Sequence, residues 1–164
     1  MAKQHDYTSL IAWTGDRGDG TRTYRGYDRT WTIATPGKPP VPCSNDPLLG
    51  GDPTLHNPED LLLSSLSACH MLWYLHLASN AGIVVRGYRD QPIGVGESTP
   101  DGAGRFLGAT LKPHILVERG ADLAKADAIH HEIHKVCFIA RSVNFPVDYA
   151  ATYEEVDARG LAGA

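Results

Sequence analysis

The run from Leu61 to Ala78 contains no Asp, Glu, Lys or Arg and is dominated by leucine, alanine, methionine and tryptophan. A stretch this apolar has to be hidden from water, in lipid or in a protein core. Its length sits at the ~18-residue lower limit for a membrane span, but it carries Ser64, Ser65, Ser67, His70 and His76 and has no clear interfacial anchors. It reads as a central helix buried on nearly all sides, with no membrane as partner. Its ends are well marked. Asn57 can cap, Pro58 suits the first helical position, and Glu59 and Asp60 complement the positive helix end. At the far end, Gly82 after Ala81 can take the left-handed closing conformation. Leu62, Leu66, Cys69, Trp73 and Leu77 recur at helical spacing, which puts Cys69 on an apolar stripe, partly shielded from water.

The flanking segments favour strands. Thr8 to Ile33 is rich in β-branched and aromatic residues broken by Gly15-Asp-Arg-Gly-Asp-Gly20, and it predicts two antiparallel strands joined by a hairpin. Six prolines between Pro36 and Pro53 predict an ordered surface loop or flap. Ile83 to Glu97 and Arg105 to Glu118 read as further strands around the turn Thr99-Pro-Asp-Gly102. A second helix is expected from about Asp122 to Val143. Its core stripe is Ile129, Ile133, Val136, Ala140 and Val143, with Cys137 one turn beyond Ile133. Asn144-Phe-Pro146 stops it, and Val147 to Val156 predicts a closing strand. Hairpins interspersed with only two helices argue for an α+β fold rather than a doubly wound parallel sheet. Residues 1–164 are expected to form one domain, with 1–6 and 158–164 frayed.

A net charge of −4 provides no basic field for phosphate neutralisation, so nucleic acid is not an expected partner. Three cysteines, an odd number, do not close a disulfide framework. No basic segment followed by an apolar one opens the chain, so a reducing cytoplasm is the expected compartment.

Taken alone, Cys69 and Cys137 would more often be structural thiols than reactive ones. Two motifs shift that balance. Asn57-Pro-Glu-Asp-Leu-Leu-Leu-Ser-Ser-Leu-Ser-Ala-Cys69-His resembles the helix that leads to the peroxide-reactive cysteine of the OsmC and organic hydroperoxide resistance family. Lys135-Val-Cys137-Phe-Ile-Ala140 resembles that family's second cysteine segment, and the order of elements from Thr8 to Glu155 is also similar. The resemblance implies antiparallel sheets wrapped around two central helices in an intertwined homodimer. It also implies reduction of an alkyl or lipid hydroperoxide without a cofactor. Cys69 would become a sulfenic acid and condense with Cys137 to a disulfide, which an external dithiol of lipoyl or other type would reduce.

An ordinary thiol is only a few per cent ionised at neutral pH, so such a site needs a nearby cation. The helix dipole cannot serve, because Cys69 lies roughly 18 Å along the axis from Asn57. The resemblance supplies an arginine oriented by Glu59. Arg17, in the glycine-rich turn, is similar in position to the arginine of organic hydroperoxide resistance proteins, and Arg29 is the second choice. OsmC-type members carry an arginine in the loop before Asn57, where this chain reads Leu49-Gly-Gly-Asp52. Glu59 and Cys69 are ten residues apart, about 15 Å on one ideal helix. A composite site at a homodimer interface is therefore expected.

Other residues support rival readings. His130 and His134 have an i, i+4 spacing that can hold a metal, but position 131 is His where a zinc-protease motif requires Glu. Exposed or capping roles are expected for His130, His131 and His134, and packed or hydrogen-bonded roles for His70 and His76. Cys43 is expected to be an exposed incidental thiol. Trp73, Tyr74 and Phe138 would form an apolar wall favouring organic peroxides. The alternative functions are an OsmC-like domain that binds a small ligand or senses oxidation, and a metal-binding protein.

Overall fold

The computed structural model describes residues 3–158. Of the ends expected to fray, 1–2 and 159–164 lie outside the described residues. The chain falls into two units, one running through Leu62 and one starting at Leu63.

The first unit contains β1 (Ile11–Trp13), β2 (Trp31–Ile33) and β3 (Val41–Cys43) in one antiparallel sheet of order β1-β2-β3. Ile11 faces Ile33, and Trp31 faces both Trp13 and Cys43. The first two strands lie within the predicted region, but a tight hairpin does not join them. Pairing continues past β1 through Thr14 to Thr30 and Gly15 to Asp28. The chain between is a long loop organised by Asp16, whose Oδ1 accepts from the Gly18 and Gly20 amides at 2.8 and 2.9 Å. β3 arises from the proline-rich stretch that reads as a loop. Pro42 is tolerated there because β3 is an edge strand of this sheet, with β2 as its one strand neighbour among the described residues and a single bridge from Cys43 to His56 besides.

Helix α1 spans Pro58–Asn80. Asn57 Oδ1 accepts from the Asp60 amide at 2.7 Å, and an Asp60 carboxylate oxygen lies 3.3 Å from the Asn57 amide. This reciprocal pair satisfies two otherwise unpaired donors at the helix start. Gly82 ends the segment at φ 75°, a conformation that favours glycine. The buried stripe is Leu66, His70, Tyr74 and Ala78, one position away from the stripe drawn through Cys69 and Trp73. By length and composition α1 could cross a membrane, and the expectation that it is buried on nearly all sides is corrected. Leu72 is 63% exposed, and Leu75 is also exposed.

In the second unit the two expected strands around Thr99–Gly102 become four. They are β4 (Val85–Asp90), β5 (Ile93–Ser98), β6 (Gly104–Leu111) and β7 (Pro113–Glu118). Breaks at Gln91-Pro92 and at Lys112 split one long hairpin between two sheets. β5 pairs with β6, and β4 with β7, both antiparallel. Helix α2 spans Leu123–Val136, with Asp122 accepting from the Lys125 amide at 3.0 Å. It is shorter than predicted, because Cys137 already has extended backbone and closes the helix. A short 3-10 turn, Ala140–Ser142, follows. The closing strand is two strands, β8 (Val147–Tyr149) and β9 (Thr152–Val156), and both pair in parallel, β8 with β6 and β9 with β7. The sheets β4-β7-β9 and β5-β6-β8 are therefore mixed rather than purely antiparallel.

Two apolar clusters hold this unit together. One joins Tyr74 and Ala78 of α1 to Ile115 and Val117 of β7 and to Ala126, Ile129, Ile133 and Cys137 of α2 and its end. The other joins Leu66 to Ala109, Leu111 and Val147. Each fully buried aliphatic side chain here contributes about 2 kcal/mol through the water it sheds.

Candidate active site

Cys69 lies in the middle of α1 and Cys137 at the C-terminal cap of α2. Both belong to the second unit, where they meet within one apolar cluster. Their sulfurs are 2.8 Å apart, with the Cys137 thiol donating to Cys69 Sγ. Both are free thiols. Bonded sulfurs lie about 2.05 Å apart, so less than an ångström of closure separates this pair from a disulfide.

The two thiols differ in setting. Cys69 is half-buried and Cys137 is 1% exposed. Burial, followed by the hydrogen bond to Cys69, pushes the Cys137 thiol up to about 11. At neutral pH Cys137 therefore keeps its proton, and Cys69 is the acceptor and the more accessible sulfur. The Ala140 amide points at Cys137 Sγ from 3.4 Å. Because the helix stops at Val136, this sulfur is held by cap geometry rather than by a continuing helical stripe.

A family model described as OsmC-like protein matches residues 51–150. The chain belongs to the OsmC-like family. A comparison with curated proteins finds no match. Among solved structures, an OsmC-like protein of unknown function from Vibrio cholerae superposes with a TM-score of 0.81 at 23% identity, over 91% of this chain and 100% of that one. An OsmC-like protein from Mycoplasma pneumoniae gives 0.70 at 15% identity, over 92% and 99% of the two chains. An organic hydroperoxide resistance protein OsmC from Legionella pneumophila gives 0.63 at 21% identity, over 93% and 100%. The OsmC-like fold is thus shared well beyond the matched 51–150.

The remaining residues singled out in this OsmC-like chain lie in varied settings. In the first unit, Arg17 donates to the Arg25 carbonyl and lies 3.6 Å from Asp28, so Asp28 rather than Glu59 is its carboxylate partner in the chain as it stands. Glu59 is exposed in the first turn of α1. Arg29 donates to the Tyr27 and Tyr24 carbonyls at 2.9 and 2.7 Å, and its guanidinium lies over both rings, 4.1 Å from Tyr24 and 4.7 Å from Tyr27. Cys43 is not exposed. It is completely buried as the last residue of β3, and burial pushes its thiol up.

In the second unit, Trp73 packs partly buried against the cluster that holds both cysteines, Tyr74 is fully buried, and Phe138 is exposed. Among the described residues no cluster of three metal-binding side chains occurs. His131 and His134 are exposed as expected, but His130 is not. It is fully buried and bonded to His70, with Nε2 of His70 2.7 Å from Nδ1 of His130. His130 Nε2 lies 3.0 Å from the Tyr153 hydroxyl, which donates to Asp127 at 3.3 Å. The ring of His130 stacks on those of Tyr74, at 4.6 Å, and Tyr149, at 4.5 Å. Burial first, and its histidine neighbours second, bring His130 down to about 3. Burial likewise brings His70 down to about 4, against a smaller opposing pull from Asp90. Helical spacing carried the signal for this pair. His70 continues Leu66 towards Tyr74, and His130 continues Ala126 towards Ile133.

Proposed function

We propose that this OsmC-like protein reduces organic hydroperoxides, with Cys69 as the attacking sulfur and Cys137 as the resolving thiol. The single observation that carries the reading is the 2.8 Å approach of an accessible sulfur to a buried, protonated one. Cys69, as thiolate, attacks one oxygen of the O–O bond. That bond breaks, the alkoxide leaves and takes up a proton as alcohol, and sulfur, having given up two electrons, becomes a sulfenic acid. The Cys137 sulfur then attacks the Cys69 sulfur and expels hydroxide, which leaves as water with the Cys137 proton. An external dithiol, lipoyl-type or other, reduces the disulfide and is itself oxidised. The hydroperoxide resistance proteins among the fold's solved members support this substrate class.

The cation that favours the Cys69 thiolate is Arg17, with Glu59 as its positioning carboxylate in the working assembly. That assembly is a homodimer in which a second copy completes each site. Two observations support it. Glu59 and Cys69 lie about 15 Å apart on the axis of α1. Apolar side chains also stand exposed on each unit, Ile11, Trp13 and Tyr24 on the first and Leu72 on the second, and a second copy could cover them. Trp73 and Phe138 supply an apolar approach that favours an alkyl or lipid peroxide over hydrogen peroxide.

One equivalent of cumene hydroperoxide added to reduced protein should give a Cys69–Cys137 disulfide in a non-reducing peptide map, and Cys69→Ser should abolish peroxide loss. A wild-type protein that leaves the peroxide intact would remove this reading. The engagement of Arg17 with Asp28 favours a second reading, a slow redox-sensing or ligand-binding domain. Disulfide formation without turnover in the presence of excess dithiol would select it.

A further inference from the structure

Hydrogen counting makes the buried histidine chain directional. The Tyr153 hydroxyl has one proton, and it goes to the Asp127 carboxylate. Its oxygen must therefore accept from His130, which places the His130 proton on Nε2. Nδ1 of His130 is then an acceptor, so His70 donates to it from Nε2. The line His70 to His130 to Tyr153 to Asp127 has one donor and one acceptor at each join, with every ring neutral. It links α1, α2 and β9, and its inner part is buried; His130 is 0% and His70 5% exposed.

This chain crosses between the two helices that carry the sulfur pair. His70 follows Cys69 directly, and His130 lies two turns before Cys137 on the face shared with Ile133. We infer that His70 and His130 are positioning residues for the resolving step, a polar clamp that fixes the approach of α1 to α2 and so sets the distance between the Cys69 and Cys137 sulfurs. The physical reason is the cost of breaking the line. An apolar contact tolerates sliding, whereas a buried ring nitrogen left without its partner costs about 1–3 kcal/mol, so the two helices are held in one register. The clamp touches neither peroxide nor sulfur. It acts on the second step and on the stability of the disulfide, and it rests on the reading of Cys69 and Cys137 given above.

The test compares His70→Leu, which removes the donor, with His70→Gln, whose amide can restore it. The first readout is equilibration of the two thiols against a dithiothreitol redox buffer, which needs no peroxide and so stays informative if the peroxidase reading fails. The expected result is a drop of about tenfold in the effective concentration of the pair in His70→Leu, largely recovered in His70→Gln. The second readout is rapid mixing with cumene hydroperoxide. Sulfenic acid formation should change by less than about twofold, while its conversion to disulfide slows by about tenfold. A folded His70→Leu protein with wild-type effective concentration overturns the inference, as does an equal slowing of both steps. If His70→Leu does not fold, Tyr153→Phe removes the outer acceptor and keeps the ring. A shift of about threefold in the same direction is expected, and no shift would overturn the inference.

Discussion

Lowering the pH from 7.5 to 5.0 should destabilise this protein through two residues in particular. His70 and His130 titrate at about 4 and about 3 in the folded chain, against about 6.5 in an unfolded one. A depressed folded value means that the unfolded state binds protons first. The stability they contribute is therefore fully present above about pH 6.5 and is lost progressively as the pH falls towards the folded values. At pH 5.0 each histidine should have removed about 2 kcal/mol by this linkage, or about 4 kcal/mol together. That is a large share of the roughly 5–15 kcal/mol that holds a typical domain. The groups facing the pair do not rescue it. Asp90 draws a proton towards His70 but is outweighed by burial, His134 opposes protonation of His70, and His70 and His131 oppose protonation of His130. The carboxyls held low by hydrogen bonds, at Asp16, Asp52 and Asp101, act only below about pH 4, so the window from 7.5 to 5.0 isolates the histidines. The assay is urea unfolding followed by circular dichroism at both pH values, for wild type and for the double variant His70→Gln/His130→Gln. The wild-type loss should exceed the variant's by about 4 kcal/mol. Equal losses would refute the argument, since the pair would then not be the source of the acid sensitivity.

Further outcomes can be checked one by one. Cys137→Ser should consume a single equivalent of hydroperoxide and accumulate a sulfenic acid that dimedone traps at Cys69, seen by mass spectrometry. Arg17→Gln should slow the reaction of Cys69 with cumene hydroperoxide by about a hundredfold, the usual scale for losing one well-placed donor to developing charge, while Arg29→Gln should have a much smaller effect in the same stopped-flow assay. Ile133→Ala, at a site 1% exposed in the cluster that holds both cysteines, should cost about 3 kcal/mol in urea unfolding. Asn57→Ala should cost about 1 kcal/mol by removing the α1 cap, without altering the sulfur spacing.

Much of the fold is written in local signals. The start of α1 follows from Asn57, Pro58 and Asp60, its end from Gly82, and the hairpin from the turn between Thr99 and Gly102, because caps and turns are chosen by adjacent residues. What could not be read locally depends on distant partners. Pro42 disfavours a strand by itself and becomes one only because β2 lies beside it. The parallel docking of β8 and β9 depends on where β6 and β7 stand. The length of α2 was overestimated because Ala140 and Val143 keep the apolar spacing after the helix has ended, and they reach the core through a 3-10 turn. The two cysteines were legible from the motifs around them. Of the histidine pair, the packed, hydrogen-bonded setting of His70 was legible along the apolar helix, but that of His130 was not, because a histidine on a polar-looking helix reads as exposed until a buried partner is seen opposite.

The break in α2 at Val136 has a consequence for what oxidation would do to the architecture. Sealing the sulfur bridge requires a movement smaller than a bond length, and the atom that can move belongs to the cap residue, whose backbone is already extended although its amide still donates to the Ile133 carbonyl. The strain of each cycle would fall on the few residues between Cys137 and the Ala140 turn, while both long helices stay wound. A thiol placed one turn earlier would have had to bend its helix to reach its mate.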